Sequence, residues 1–318
     1  MVNTIMEKFF ISIIIPVFNE AETISEVVTK IGQCVNGAGF EHEIIIVNDG
    51  SSDNTWDIIN HLSKVYKEIR AIKFSRNFGK ESAVTAGLEV STGDAVIVMD
   101  GDLQHPPDLI PKMIDYWKRG GCDIVEAVKA DRGKEPLFVK VGAKFFYWLM
   151  KNFTDLDIAH ASDFKLLDRK VVEAHNRLPE KTRFFRGLVS WLGFKRIQIP
   201  FSVLERKKGR SKWSLSRLVK LAINGTTSFT SFPLHLITVI GALTLLFNMI
   251  MAIQTLYMKI SGHAVSGFTT VILLILFIGS ILMLSLGIIG LYISRIFEEV
   301  KGRPTFIIEE SINLQEKT

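Results

Sequence analysis

Cysteine is scarce in this chain of 318 residues: Cys34 and Cys122 are the whole supply, too few for a disulfide framework. That scarcity points to a reducing compartment for the N-terminal part. Two phosphate-binding signatures are also missing. There is no Gly-x-Gly-x-x-Gly and no Gly-x-x-x-x-Gly-Lys-Ser/Thr, so dinucleotide-binding and P-loop readings lose their main support. No secretory signal is legible, because Met1–Lys8 is short and polar and the apolar run that follows stops at Pro16. The most informative absence is of charge. Phe232–Leu256 and Phe268–Ile293 contain no Asp, Glu, Lys or Arg, and each is long enough to cross about 30 Å of hydrocarbon.

The apolar content, 47% of the residues, is concentrated towards these two stretches. Between them Lys259 is the one Lys or Arg, whereas Lys212, Arg217 and Lys220 precede the first and Arg295, Lys301 and Arg303 follow the second. That asymmetry places both ends in the cytoplasm, with a short loop outside an inner (plasma) membrane crossed twice. The formal charge of +5 asks for an anionic partner or a membrane surface without choosing between them, and no nucleic-acid partner is expected.

Before the spans, apolar runs alternate with helical patterns. Phe10–Pro16, Glu43–Val47, Ala71–Phe74, Ala95–Met99 and Asp123–Val128 read as strands. Helices are expected over Ala21–Val35, Thr55–Lys67, a stretch that follows the Ser75–Lys80 link and runs to about Val90, and Asp108–Arg119, with Asp53 or Asn54 capping the second. The alternation predicts an α/β fold: an open, mostly parallel sheet with helices on both faces. Ligands of such sheets bind beyond the carboxyl ends of the strands. Asn19-Glu20, Asp49 and Asp100-Asp102 all follow strands, so one crevice could collect them. Asp49 alone would be an ordinary turn residue or cap. Asp100 and Asp102, one small residue apart at a strand end and followed by Gln104, could share a hard cation such as Mg²⁺ or Mn²⁺.

Beyond Pro136 the pattern changes. Val139–Asn152 reads as a helix loaded with Phe145, Phe146, Tyr147 and Trp148, packed in a core or leaning on lipid. Asp155, Asp157 and Asp163 lie in the polar interval that follows. Arg206 to Trp213 is the densest basic run, ordinarily a solvated loop, but here next to the spans. Leu215, Leu218, Val219 and Ala222 then form an apolar stripe that suits a helix lying in the interface. The chain thus divides into a cytoplasmic domain (1–205), a basic loop with an interfacial helix (206–231), two transmembrane helices (232–294) and a cytoplasmic C-terminal tail (295–318).

Four motifs in fixed order carry a resemblance: Pro16-Val17-Phe18-Asn19-Glu20, Val47 to Asp53, Arg76-Asn77-Phe78-Gly79-Lys80 and Asp100 to Pro107. The chain resembles family 2 glycosyltransferases of the GT-A fold, above all the polyprenyl-phosphate group that contains dolichol-phosphate mannosyltransferase and bacterial undecaprenyl-phosphate glucosyltransferases. Ser162 to Leu167 and Arg206 to Trp213 match that group too. The Gln-x-x-Arg-Trp motif of processive synthases is missing, which argues against polymerisation.

The resemblance implies an inverting transfer of a hexose from a nucleotide sugar, UDP-glucose favoured over GDP-mannose, to a polyprenyl phosphate such as undecaprenyl phosphate. It implies a nucleotide-sugar site of Pro16, Phe18, Glu20, Asp49, Lys80, Asp100, Gly101 and Asp102, with the Asp49 position reaching the base. The metal, Mg²⁺ or Mn²⁺, falls to Asp100, Asp102 and Gln104. Asp157 and Asp163 are the candidate catalytic acids, able to take a residual acceptor proton or to bind donor hydroxyls. Arg132, Arg206 and Lys212 are the candidate cations for the lipid phosphate. Two other readings compete. A sugar-phosphate nucleotidyltransferase lacks support from the first loop, and a non-catalytic glycolipid-binding subunit would have no use for the acids. The pattern leaves room for a homo-oligomer.

Overall fold

The computed structural model describes residues 9–37, 39–102, 105–129, 162–181, 183–201, 232–262 and 267–314. The expected helix over Val139–Asn152 and the stripe from Leu215 to Ala222 lie outside them, as do Gln104, Arg132, Asp157, Arg206 and Lys212.

The first five strands form where the Ile- and Val-rich runs predict: β1 Phe10–Val17, β2 Glu41–Asn48, β3 Ile69–Phe74, β4 Ala95–Val98 and β5 Ile124–Lys129. Between them stand α1 Ile24–Gly37, α2 Thr55–Val65, α3 Lys80–Val90 and α4 Leu109–Lys118. Asn54 occupies the cap position of α2 without a side-chain bond. Asp53 does the capping from one residue back, accepting from the Thr55 N–H at 3.1 Å and its hydroxyl at 2.5 Å.

Three strands escape the sequence pattern: β6 Lys165–Asp168, β7 Arg196–Phe201 and β8 Ile308–Ile312. The sheet order is β7-β5-β6-β4-β1-β2-β3-β8. Its centre, β4-β1-β2-β3, is parallel as expected. On the flank β6 runs antiparallel to both β4 and β5, and β8 antiparallel to β3, so the sheet as a whole is mixed. A GT-A-like architecture with helices on both faces results.

Both faces of the sheet are covered, which is why its central strands are apolar without interruption. Ile13 and Ile15 of β1 with Ile44 and Ile46 of β2 face α1, α2 and α4. The alternate residues Ile14, Ile45 and Val47 face α3 and two further helices, α5 Arg169–Asn176 and α6 Phe185–Trp191. Gly87 lets α3 close on β1, because a Cβ there would overlap the Ile14 side chain.

Two long helices complete the structure, α7 Phe232–Ile260 and α8 Phe268–Val300. Both are long and apolar enough to cross a membrane, and they expose residues such as Leu245 and Met283 at 71% and 72%. Apolar surface on this scale is not sustained in water. The stretch after α8 is more than a tail. It returns to the domain, where Phe306 stacks on Phe74 with ring centres 5.0 Å apart and β8 adds the edge strand. Glu310 there accepts from the Trp56 indole at 3.0 Å and from Lys73 at 2.6 Å. In the last turn of α8, both Glu299 carboxylate oxygens accept from the Lys181 N–H at 3.0 Å.

Candidate active site

The loops after β1 and β2 are bound to each other. The Asn19 N–H donates to the Ser51 hydroxyl at 2.9 Å, and the Asn19 side chain accepts from the Ser52 N–H at 2.9 Å. The Glu20 N–H donates to the Thr55 hydroxyl at 3.0 Å, and the Ala21 N–H to Asp53 at 3.3 Å. Asn19 holds φ at 54°, in the left-handed region that asparagine tolerates better than most residues. Pro16, at the end of β1, is buried, while Phe18 turns outward with 37% of its surface exposed.

Asp49 is buried, and its carboxylate accepts from the Phe78 N–H at 2.7 Å and from the Gly79 N–H at 3.0 and 3.1 Å. Burial raises its pKa against the opposing pull of those bonds. The acid that the resemblance assigns to the base therefore ties the β2 loop to the turn that starts α3. Gly50 next to it has φ of +64°, and a Cβ there would overlap the backbone of Arg76. In this way two loops far apart in sequence fix the position of Lys80.

Lys80 meets two carboxylates at once, Asp100 Oδ1 at 2.5 Å and Asp163 Oδ2 at 2.5 Å. Burial works against its charge, but the two acids outweigh burial and raise its pKa. Asp163 has a second cation: Arg186 donates to Oδ1 through Nε at 2.6 Å and to Oδ2 through a terminal nitrogen at 2.9 Å. Burial alone would lift the pKa of Asp163; Arg186 and Lys80 reverse this and hold it well below the usual carboxylate range. The four residues Asp100, Lys80, Asp163 and Arg186 thus form one chain of alternating charge across the ends of β4, α3, β6 and α6.

Asp102 lies beyond Asp100 and Gly101, where Gly101 packs so close to Val17 that a Cβ would come within 3.0 Å of its side chain. His105 supports the turn from below. Its Nδ1 accepts from the Asp100 N–H at 3.2 Å, and its ring stacks on Phe164 with centres 5.1 Å apart. Burial lowers its pKa, and a ring that accepts at Nδ1 carries its proton on Nε2. The structure thus brings together Pro16, Phe18, Glu20, Asp49, Lys80, Asp100, Gly101, Asp102 and Asp163 at one end of the sheet.

Two members of this neighbourhood, Arg186 and Glu81, have no motif in the sequence, and His105, inside the Asp100 to Pro107 motif, acts there as a backbone acceptor. The signal for Arg186 was a single cation inside the apolar Phe184–Val189 run, a pattern that calls for a buried partner. Glu81 accepts from the Phe185 N–H at 2.8 Å. Burial first, and then the charge of Asp163, push its pKa up to about 7.

The profile of glycosyl transferase family 2 matches residues 12–174. An uncharacterized glycosyltransferase of Bacillus subtilis, YkcC, is 38% identical over 308 residues, covering 96% of this chain and 95% of that one. The chain belongs to glycosyl transferase family 2. A prophage-derived bactoprenol glucosyl transferase of Shigella flexneri is 38% identical over 306 residues, covering 95% of this chain and 98% of its own. Among solved structures, a glucosyl-3-phosphoglycerate synthase of Mycobacterium tuberculosis, in complex with Mn²⁺, UDP and phosphoglyceric acid, aligns with a TM-score of 0.47 and 21% identity, over 67% of this chain and 75% of that one. As a member of the family the protein is a glycosyltransferase, and the alternating charge chain lies at the strand ends where such a sheet takes its ligand.

Proposed function

We propose that this glycosyltransferase moves glucose from UDP-glucose to a membrane polyprenyl phosphate, inverting the anomeric carbon. One observation carries the reading: the similarity to a bactoprenol glucosyl transferase covers 95% of this chain, the two apolar helices included. Those helices anchor the enzyme in the membrane that holds such an acceptor, with the catalytic domain and both flanks of the spans in the cytoplasm.

The chemistry follows from the residues. An oxygen of the acceptor phosphate attacks the anomeric carbon from the face opposite the diphosphate. The carbon–oxygen bond to the donor breaks as the new one forms, and the nucleoside diphosphate leaves. A phosphate monoester has its second pKa at about 6, so it arrives mostly dianionic and needs little help from a base. Asp163, kept ionised by Arg186 and Lys80, is a poor proton acceptor, and we assign it the positioning of those two cations. Asp157 retains the alternatives of base or ligand for donor hydroxyls.

The paired oxygen donors Asp100 and Asp102, with Gln104, suit Mg²⁺ or Mn²⁺. The ammonium already seated on Asp100 supports a cation there. Such an ion supplies charge neutralisation for the departing diphosphate. Pro16, Phe18 and Glu20 would line the nucleoside; Arg132, Arg206 and Lys212 would hold the lipid phosphate.

The purified full-length protein, incubated with labelled UDP-glucose and undecaprenyl phosphate, should move label into the lipid phase. Parallel reactions with GDP-mannose, UDP-galactose and UDP-N-acetylglucosamine should not. Label from another donor would overturn the sugar, and none from any donor would overturn the reading.

A further inference from the structure

Lys80 is shared unequally by its two acids. Asp163 is 8% exposed and keeps a bidentate guanidinium whether or not Lys80 stays. The Asp100 side chain is 29% exposed, and its charge is matched by the same ammonium at 2.5 Å. A ligand from solvent therefore reaches Asp100 first, and meets a lysine on the oxygen it needs. The lysine has room to swing off Asp100 without losing its other partner: its side chain is 41% exposed, on a flexible four-carbon stem, and Asp163 remains beside it.

Resting on the metal and nucleotide reading above, we propose that Lys80 is an exchangeable counterion of Asp100, which keeps divalent metal out until a nucleoside diphosphate arrives. Among the described residues no group of three His, Cys, Asp or Glu is arranged to hold an ion. A metal arriving alone would have to expel the ammonium from Asp100 and still complete its shell with water. A nucleoside diphosphate changes both sides of that balance. Its oxygens complete the shell of a hard divalent ion, and its charge gives the displaced ammonium a new partner while Asp163 holds the other side. Lysine thus makes metal uptake conditional on nucleotide.

The test is Mn²⁺ binding to the full-length protein in detergent, followed by the paramagnetic resonance of free Mn²⁺, with and without UDP. Wild type should bind Mn²⁺ weakly alone and tightly with UDP. Lys80→Met should bind Mn²⁺ without UDP about tenfold more tightly than wild type, a factor in keeping with loss of one partly exposed ion pair. Lys80→Arg, which retains the cation, should keep the wild-type requirement for UDP. Lys80→Gln gives a second neutral substitution should the methionine variant melt early. If neither neutral variant binds Mn²⁺ alone more tightly, while UDP still tightens it in wild type, the exchange is overturned and the metal–nucleotide reading stands. If UDP fails to tighten Mn²⁺ in wild type, or Asp102→Ala leaves the UDP-dependent uptake unchanged, that reading falls and the inference with it.

Discussion

Glu81 follows Lys80 on the first turn of α3, close enough to Asp163 for the two charges to repel. Its carboxyl titrates at about 7 in the fold against an ordinary value of 4.5. A carboxyl raised in this way favours folding while protonated; the contribution is complete below the lower value and is lost as pH rises through the upper one. Glu81→Gln keeps an acceptor for the Phe185 N–H and cannot ionise. Its melting temperature should therefore fall less than that of wild type between about pH 5 and about pH 8, and parallel curves would remove Glu81 as the cause. Arg186 sits at the other end of the charge chain. Arg186→Ala leaves the nearly buried Asp163 with Lys80 alone, which should cost roughly 2–3 kcal/mol in urea unfolding, less than a fully buried pair because Arg186 is itself partly exposed. Turnover in the lipid-phase assay should drop by about a hundredfold or more, since Lys80 is then drawn towards Asp163. Arg186→Lys should recover stability better than rate, because an ammonium cannot make the two parallel bonds. Equal recovery of both would show that charge alone matters there.

At the scale of elements, β8 is the clearest case for a test. Removing the chain from Phe306 onward deletes the ring stacked on Phe74 and the whole ladder to β3. The melting temperature of the catalytic domain should fall, and protease should cut near β3 first. Glu310→Ala, which removes an exposed ion pair to Lys73 and a half-buried bond from the Trp56 indole but leaves the ladder and the Phe306 stack intact, should lower the melting temperature far less than the truncation does. Failure of both variants alike would make charge, not pairing, the tie. β8 was illegible in the sequence for a physical reason: its partner lies more than 230 residues earlier, and a short edge strand carrying Glu309 and Glu310 has no apolar periodicity of its own. β6, four residues long and opening on Lys165, is hidden in the same way, because that lysine is buried only by its pairing with Glu126. β7 contains Pro200, which reads as a break and is tolerated on an edge strand. By contrast β1 to β4 are covered on both faces, so burial alone wrote them as Ile and Val runs. The site divides likewise. Asp49, Asp100 and Asp102 stand directly after legible strands; the apolar run around Arg186 calls for a buried partner without naming it, and Glu81 reaches the same place with no local signal at all.

For the whole molecule, the two apolar helices and the returning strand constrain each other. Ser261, exposed at the end of α7, should lie outside if both flanks of the spans are cytoplasmic. Ser261→Cys should therefore react with a membrane-impermeant maleimide on intact cells, whereas Glu309→Cys should react only after permeabilisation. Labelling of both, or of Glu309→Cys alone, would reverse or abolish the topology. Cys34 and Cys122 are both free thiols, so each variant is read against the labelling of the wild-type chain. The order of the segments along the chain has a consequence for biosynthesis. β8 leaves the ribosome only after α7 and α8, so on the proposed topology the edge of β3 stays bare while those two helices enter the membrane. On that topology, completion of the sheet reports that insertion has run its course, and a chain stalled before that point would expose an open strand edge on which aggregation starts.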